Sequence, residues 1–467
     1  MGFALSLLYF VTYYLTPATM FGPLAPFRIE LILAALVSLV SLPALRNSFI
    51  LKSPQSLALL GLAIAVTVSV LIGVRWAGGA VQAFLAFIPN AFAYFLVCLH
   101  CKSRRGLKTI VLMLLLVCLF VIAHGTADLL RGVPTGAAPE SGDAGSASQA
   151  QWNMEHPYLL VMNNDAGESL YRLRGLGEIN DPNDFAQLTV CVIPLMFIFW
   201  RPRRMIENAV FVLLPVGILL FGVYLTHSRG AILAMMAVVL VAARRRIGTV
   251  PALVLAGGLF VAASALQVAG GREISTSSGS DRTSLWGEGM QMVKTHPLFG
   301  VGYGHFGDNS DVGLTAHNSI VVCVAELGFV GLYFWTLFLL PTLRDASAAS
   351  SPTDATNGEP IVDEDGPIPL AGRNTEKLTN SEINTLGRLV VLSLTGFLVQ
   401  GLFLSRAYVM TLFLLGGMAE VVYEMALQRK MVGPRMRLTR VMPYAGVMAV
   451  GLVMMMYIAV RILNRMH

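Results

Sequence analysis

Charge is scarce in this chain: Lys, Arg, Asp and Glu together supply only 13% of its 467 residues, while hydrophobic residues supply 55%. A mean hydropathy of +0.67 lies well outside the range of soluble domains. The composition excludes a soluble globular protein and implies a polytopic membrane protein. Cysteine is scarce too. The five present, Cys98, Cys101, Cys118, Cys191 and Cys323, all fall in or beside apolar runs, so no disulfide framework is implied. Cys98 and Cys101 have two residues between them and no second such pair, which reads as two small apolar residues at a helix end. The first apolar run lacks a basic leader and a small-residue cleavage site, and is expected to be a retained helix.

What is abundant is apolar sequence in lengths that suit a bilayer. A spanning helix takes about 20 apolar residues. Candidate spans lie near 4–22, 29–45, 56–73, 80–99, 107–124, 184–200, 207–226, 230–243, 250–269, 318–341, 389–405, 409–427 and 441–460. The expected fold is all-α, with about 12–13 transmembrane helices. In domain terms, N-terminal spans occupy 1–124, a large loop 125–183, spans 184–270, a second large loop 271–317, a span 318–342, an acidic linker 343–388 and the last spans 389–467. The linker is rich in Ser, Pro, Gly and acid, as disordered segments are.

Basic short loops stay in the cytoplasm. "KSRRGLK" (102–108), "RPRR" (201–204), "AARRR" (242–246) and "RKMVGPRMRLTR" (429–440) set that side. Alternation then places 125–183, 227–229, 271–317 and 406–408 on the opposite face. Thirteen spans leave Arg461 and Arg465 outside, against the rule.

The polar clusters that neither lipid nor a flexible loop explains all fall on that outward face. They are "YRLRGLGEINDPNDFAQ" (171–187), "LTHSRGA" (225–231), "SGSDRTSLWGEGMQMVKTHPLFGVGYGHF" (278–306), "TAHNS" (315–319) and "LSRAY" (404–408). Arg229 and Arg406 occupy tight turns between apolar helices, where a guanidinium either snorkels or meets an anion. Arg174 and Arg282 lie in longer outward segments. Four such groups suit a diphosphate, which planar guanidinium binds through paired hydrogen bonds.

His317 stands at a helix entrance beside Asn318 and Ser319. Its ordinary pKa lets it take a proton from a hydroxyl at neutral pH; Asn318 or Ser319 also read as helix caps. Trp286, Met290 and Val293 have helical spacing, so 283–295 is expected to be an amphipathic helix at the outer interface. The glycines of "PLFGVGYGHFG" (297–307) lack the strand that a nucleotide fingerprint requires. Asp181 before Pro182 reads as a turn and an N-cap, and no metal site or cofactor is expected.

"HNSIVVCVAELGFVG" (317–331), which is His, Asn, nine residues, Gly, two residues, Gly, resembles the signature of bacterial O-antigen ligases, O-antigen polymerases and pilin-type O-oligosaccharyltransferases. "NDPNDFAQ", "SRGA" and "DRTSLWGEGMQMVKTHPLFGVGYGHF" resemble that superfamily in the same order, over roughly residues 170–340. The resemblance implies a GT-C-like architecture with periplasmic loops in the bacterial inner membrane. It also implies metal-independent, inverting transfer of a glycan from an undecaprenyl diphosphate carrier to lipid A core or another glycan acceptor. Carried over by motif, His317 is the base or the group that orients the acceptor, and Arg282 and Arg229 hold the diphosphate. Arg174, Arg406, Asn318, Trp286 and Asn180 line the substrate site. Membrane lipid is an expected partner and nucleic acid is not. A polymerase joining repeat units is the alternative, and a transporter a more distant one. The long acidic linker and the thirteenth span depart from the family's pattern.

Overall fold

A computed structural model describes all residues except 21, 28, 47–49, 51–52, 132–151, 153–154, 164–168, 266–267, 269–275, 352–377 and 467. It is helical almost throughout. The principal helices are α1 (Gly2–Leu15), α2 (Ile29–Arg46), α3 (Pro54–Gly73), α4 (Ala77–His100), α5 (Arg104–Leu130), α6 (Pro182–Leu195), α7 (Leu214–Thr226), α8 (Arg229–Ile247), α9 (Thr249–Ala265), α10 (Thr276–Thr295), α11 (Ser319–Ala349), α12 (Asn380–Gly401), α13 (Met410–Gln428) and α14 (Leu438–Met466). Among the described residues nine helices are long and apolar enough to cross a membrane, and Gly2–Leu15, Ile29–Leu45 and Thr249–Ala263 are shorter apolar helices. Each of the thirteen expected spans overlaps a helix among the described residues. The chain is an all-α, multi-pass membrane protein.

Two compact units divide it. The first comprises residues 1–38, 105–273 and 392–400. Within it α6 packs on α7 and α8, and α8 packs on α9. Gln187 donates to the Phe397 carbonyl (3.0 Å) and Gln400 to that of Asn183 (2.9 Å), so the 392–400 stretch of α12 is stitched to α6. The large loop of this unit contains an element that composition did not suggest. An antiparallel hairpin pairs β1 (Leu159–Asn163) with β2 (Ser169–Leu173), in a register that sets Leu159 against Leu173. As expected, Asp181 caps α6, its carboxylate accepting from the Asn183 N–H at 2.7 Å, with Pro182 in the first turn.

The second unit comprises residues 39–104, 274–391 and 401–467. Its centre is α11, which packs against α3, α13, α14 and α10, while α4 packs against α3 and α13. Leu327, Leu332 and Phe338 of α11 and the α13 residues Leu412, Phe413 and Leu414 are fully buried, which fits a helix surrounded on every side. Two expected boundaries move. α11 continues past 342 to Ala349, and α12 begins at Asn380 rather than 389. The extension of α11 is held by polar pairs: Asp345 accepts from Gln55 (2.8 Å) and pairs with Arg344 (3.0 Å). Most of the acidic linker lies outside the described residues.

α11 is broken rather than continuous. Gly328 adopts φ 65°, ψ −165°, a conformation open only to glycine. The 297–302 segment fills the break. Val301 and Gly302 N–H donate to the carbonyls of Ala325 (2.9 Å) and Glu326 (3.0 Å), while Phe329 and Val330 N–H donate to those of Pro297 (2.8 Å) and Leu298 (3.1 Å). This explains the glycines. A Cβ on Gly328 would stand 2.3 Å from the Leu298 backbone, and one on Gly300 2.3 Å from that of Glu326.

Candidate functional site

In the second unit the start of α11 is built from three segments. Asn318 is the N-cap: its side-chain oxygen accepts from the Ile320 (3.0 Å) and Val321 (3.2 Å) N–H groups, and its amide donates to the Leu402 carbonyl (3.1 Å). Ser319 donates to the Leu404 carbonyl (2.7 Å) and accepts from the Arg406 N–H (3.1 Å). Residues 402–406 are thereby tied to the first turn of α11. Asn318 is 1% exposed, so its side chain serves the helix and the turn.

His317 precedes this cap with a left-handed backbone, φ 48°. That conformation is costly for a residue with a side chain and persists only where its surroundings impose it. Here the His317 N–H donates to Ser405 Oγ (2.9 Å), and the Ser405 hydroxyl donates onward to Thr315 Oγ1 (2.8 Å). On its other side, Trp286 Nε1 donates to the Ala316 carbonyl at 2.8 Å. The imidazole is half-buried, on a backbone pinned from two directions.

Trp286 belongs to α10, which starts earlier than expected, at Thr276, and packs its Leu285, Met290, Met292 and Val293 inward. Arg282 is half-buried one turn before Trp286 and shares its helix face. Arg406 is half-buried in the turn that grips α11. The second unit therefore gathers His317, Asn318, Trp286, Arg282 and Arg406 on α10, the start of α11 and the 402–408 turn.

Arg174, Asn180 and Arg229 belong to the first unit. Arg229 opens α8 behind the N-cap Ser228, whose hydroxyl accepts from the Ala231 N–H, and His227 before it is left-handed (φ 48°), with Nδ1 3.0 Å from the Val268 carbonyl. Arg174 is buried at 6% exposure and donates to the Pro157 carbonyl (3.1 Å). Burial lowers its pKa, against the opposing pull of Asp181; an arginine stays charged regardless. Asn180 is exposed, and its N–H closes a short turn onto the Gly177 carbonyl.

Sequence reasoning missed Arg172, which is 3% exposed. It donates to the Thr226 carbonyl (2.8 Å), to Asn183 Oδ1 (3.0 Å) and to Met162 Sδ (3.4 Å), fastening the hairpin to the end of α7 and the start of α6. It also missed Ser405, although the "LSRAY" cluster that contains it was visible, and Glu326, an acid inside an apolar helix. Among the described residues no three His, Cys, Asp or Glu side chains gather as a metal site would require.

No curated protein matches the chain. Residues 214–336 match a family model described as O-antigen ligase. That segment runs from α7 through the broken part of α11 and carries Arg229, Arg282, Trp286, His317 and Asn318, while Arg174, Asn180 and Arg406 lie outside it. Over this segment the chain is similar to the O-antigen ligase family.

Proposed function

We propose that the protein transfers a glycan from an undecaprenyl diphosphate carrier to an acceptor hydroxyl at the periplasmic face of the bacterial inner membrane, as an O-antigen ligase. His317 is the general base, or the group that orients the acceptor. The observation that carries this reading is the backbone of His317, left-handed and clamped by Ser405 and Trp286 at the mouth of α11, inside the segment that matches the family.

The chemistry follows from the bonds that change. The acceptor oxygen attacks the anomeric carbon from the face opposite the leaving group, which inverts that centre. Its proton passes to His317 and the bond to the diphosphate breaks. Negative charge grows on the diphosphate, where fixed guanidinium donors lower the barrier. Arg282 and Arg406 stand in the same unit as His317 and are assigned this role. Arg229 and Arg174 are carried over from the resemblance as anion-binding groups, and Asn180 as a substrate-binding residue. Trp286 and Asn318 hold the His317 backbone. No step requires a metal ion.

The break in α11 bears on the transporter alternative. Transporters use unwound backbone inside the membrane to bind ions and solutes. Here the groups beside Gly328 are taken up by the 297–302 segment.

The test compares surface glycans and lipid-linked intermediates with and without the gene in its native host. Long polymer stranded on the carrier beside bare acceptor supports a ligase. Single repeat units without long chains assign a polymerase instead. Unchanged glycans and intermediates refute both.

A further inference from the structure

The turn between α3 and α4, residues 74–76, carries an arginine and a tryptophan that the proposed chemistry does not use. α4 ends in the basic "KSRRGLK" segment, so the positive-inside rule sets its other end, this turn, on the face that carries His317. Arg75 has a left-handed backbone, φ 59°, and its exposed side chain has no hydrogen-bond or ion-pair partner among the described residues. Strain of this kind, with no contact of the side chain to account for it, points to function. Trp76 is 49% exposed. A Cβ on Gly78 would stand 2.8 Å from its Nε1 and one on Gly79 2.2 Å from its Cε3. Those atoms lie at opposite ends of the indole, so the ring lies across both glycines with one face seated and the other open.

The glycine loop that fills the break in α11 completes this surface. A Cβ on Gly73 would stand 2.6 Å from the Val301 backbone, and one on Gly302 2.7 Å from Val74 Cγ2 and 3.5 Å from His305 Nδ1. Val74 and His305 therefore flank Gly302. His305 is oriented: its Nδ1 lies 2.8 Å from the Tyr303 carbonyl, which can only accept, so Nδ1 carries the proton and Nε2 of the neutral ring is an acceptor. Nε2 is 3.9 Å from Asp308 Oδ2, beyond hydrogen-bond reach, and the side chain is 26% exposed. The same loop leads to the His317 site. Tyr303 gives its N–H to Ser69 Oγ (3.1 Å) and sets its ring 5.4 Å from that of Tyr408, in the turn whose Ser405 holds the His317 N–H.

We propose that Arg75, Trp76 and His305 form a subsite, beside the site of transfer, for a sugar that carries a phosphate or carboxylate group. The guanidinium pairs with the anion, the open indole face stacks on the apolar face of the sugar ring, and Nε2 of His305 accepts from a sugar hydroxyl. The charged sugar belongs to the acceptor or to the donor glycan. Its part in transfer rests on the function proposed above, whereas its binding does not.

The test is saturation-transfer NMR on the full chain in detergent, with glucose 6-phosphate and glucuronic acid as charged probes and glucose as the neutral one. Wild type should bind the charged probes saturably and about tenfold or more tighter than glucose, the worth of one charge-assisted hydrogen bond. Arg75→Gly removes the guanidinium and relieves the left-handed strain, so it should melt no lower than wild type while the charged probes bind only as well as glucose. Arg75→Asn, which also tolerates that backbone, should behave alike. Trp76→Ala should weaken all three probes. A pair that only anchors the chain at the membrane surface would give no saturable binding, or binding unchanged in Arg75→Gly, and either result overturns the proposal. In proteoliposomes with native donor and acceptor, Arg75→Gly should raise one KM about tenfold and leave kcat within about twofold. A raised acceptor KM puts the charged sugar on the acceptor and a raised donor KM puts it on the donor; two unchanged KM values overturn its part in transfer. A wild-type protein that transfers no glycan would sink the functional reading and leave the binding result to decide the proposal.

Discussion

Gly328→Ala probes the joint on which the second unit depends. The substitution adds one carbon, and two separate costs follow. Alanine at φ 65°, ψ −165° is strained by about 1–3 kcal/mol. The new Cβ would also stand 2.3 Å from the carbonyl carbon and oxygen of Leu298 and 2.5 Å from the Phe299 nitrogen, all backbone atoms that no rotamer change can clear. The 297–299 segment must therefore withdraw, and the bonds from Phe329 N–H to Pro297 (2.8 Å) and Val330 N–H to Leu298 (3.1 Å) go with it. At about 1 kcal/mol each, the total comes to about 3–5 kcal/mol, a large fraction of ordinary fold stability. The assay is the melting temperature and yield of the full-length protein in mild detergent. Gly217→Ala is the control, because its Cβ meets nothing within 4 Å on α7; it should be neutral or slightly stabilising. Equal melting temperatures for the two variants would refute the account of the broken helix.

Two further predictions concern other parts of the same unit. Asn318→Ala should cost about 1–2 kcal/mol through loss of the N-cap, and Asn318→Asp should restore most of it, measured as melting temperature; an alanine variant as stable as wild type would contradict the capping geometry. Arg435 pairs with Glu420 and with Glu424 (2.6 Å), where the Glu420 side chain is 0% exposed and also receives Gln55 Nε2 at 3.1 Å. Arg435→Ala should destabilise the protein by about 3–5 kcal/mol, because it strands a buried charge. The exposed Arg440→Ala should not, and similar melting curves for both would refute this.

Much of this architecture was legible in the sequence because helices in a bilayer announce themselves by length and composition. The His317–Asn318 helix start and the Asp181–Pro182 cap were equally readable, since caps depend on residues adjacent in sequence. What escaped depends on partners far away in the chain. The pairing of Leu159–Asn163 with Ser169–Leu173 is too short to stand out against apolar surroundings. The extension of α11 to Ala349 looked like polar linker, because the partner of Asp345 is Gln55, 290 residues earlier. Glu326 carried a signal, an acid inside an apolar run, but the Gly302 N–H that meets its backbone carbonyl lies on an upstream loop whose glycines read as turn residues. For His317 the sequence supplied the residue and its neighbours, but not the Ser405 and Trp286 contacts that hold its backbone.

The central claim is that His317 acts on the acceptor hydroxyl. Its most direct test is the rate of glycan transfer from purified undecaprenyl-diphosphate-linked glycan to acceptor in proteoliposomes, comparing wild type with His317→Ala at matched abundance and melting temperature. Loss of a positioned general base should lower kcat about a hundredfold or more while the donor still binds. Transfer by His317→Ala at the wild-type rate would contradict the account.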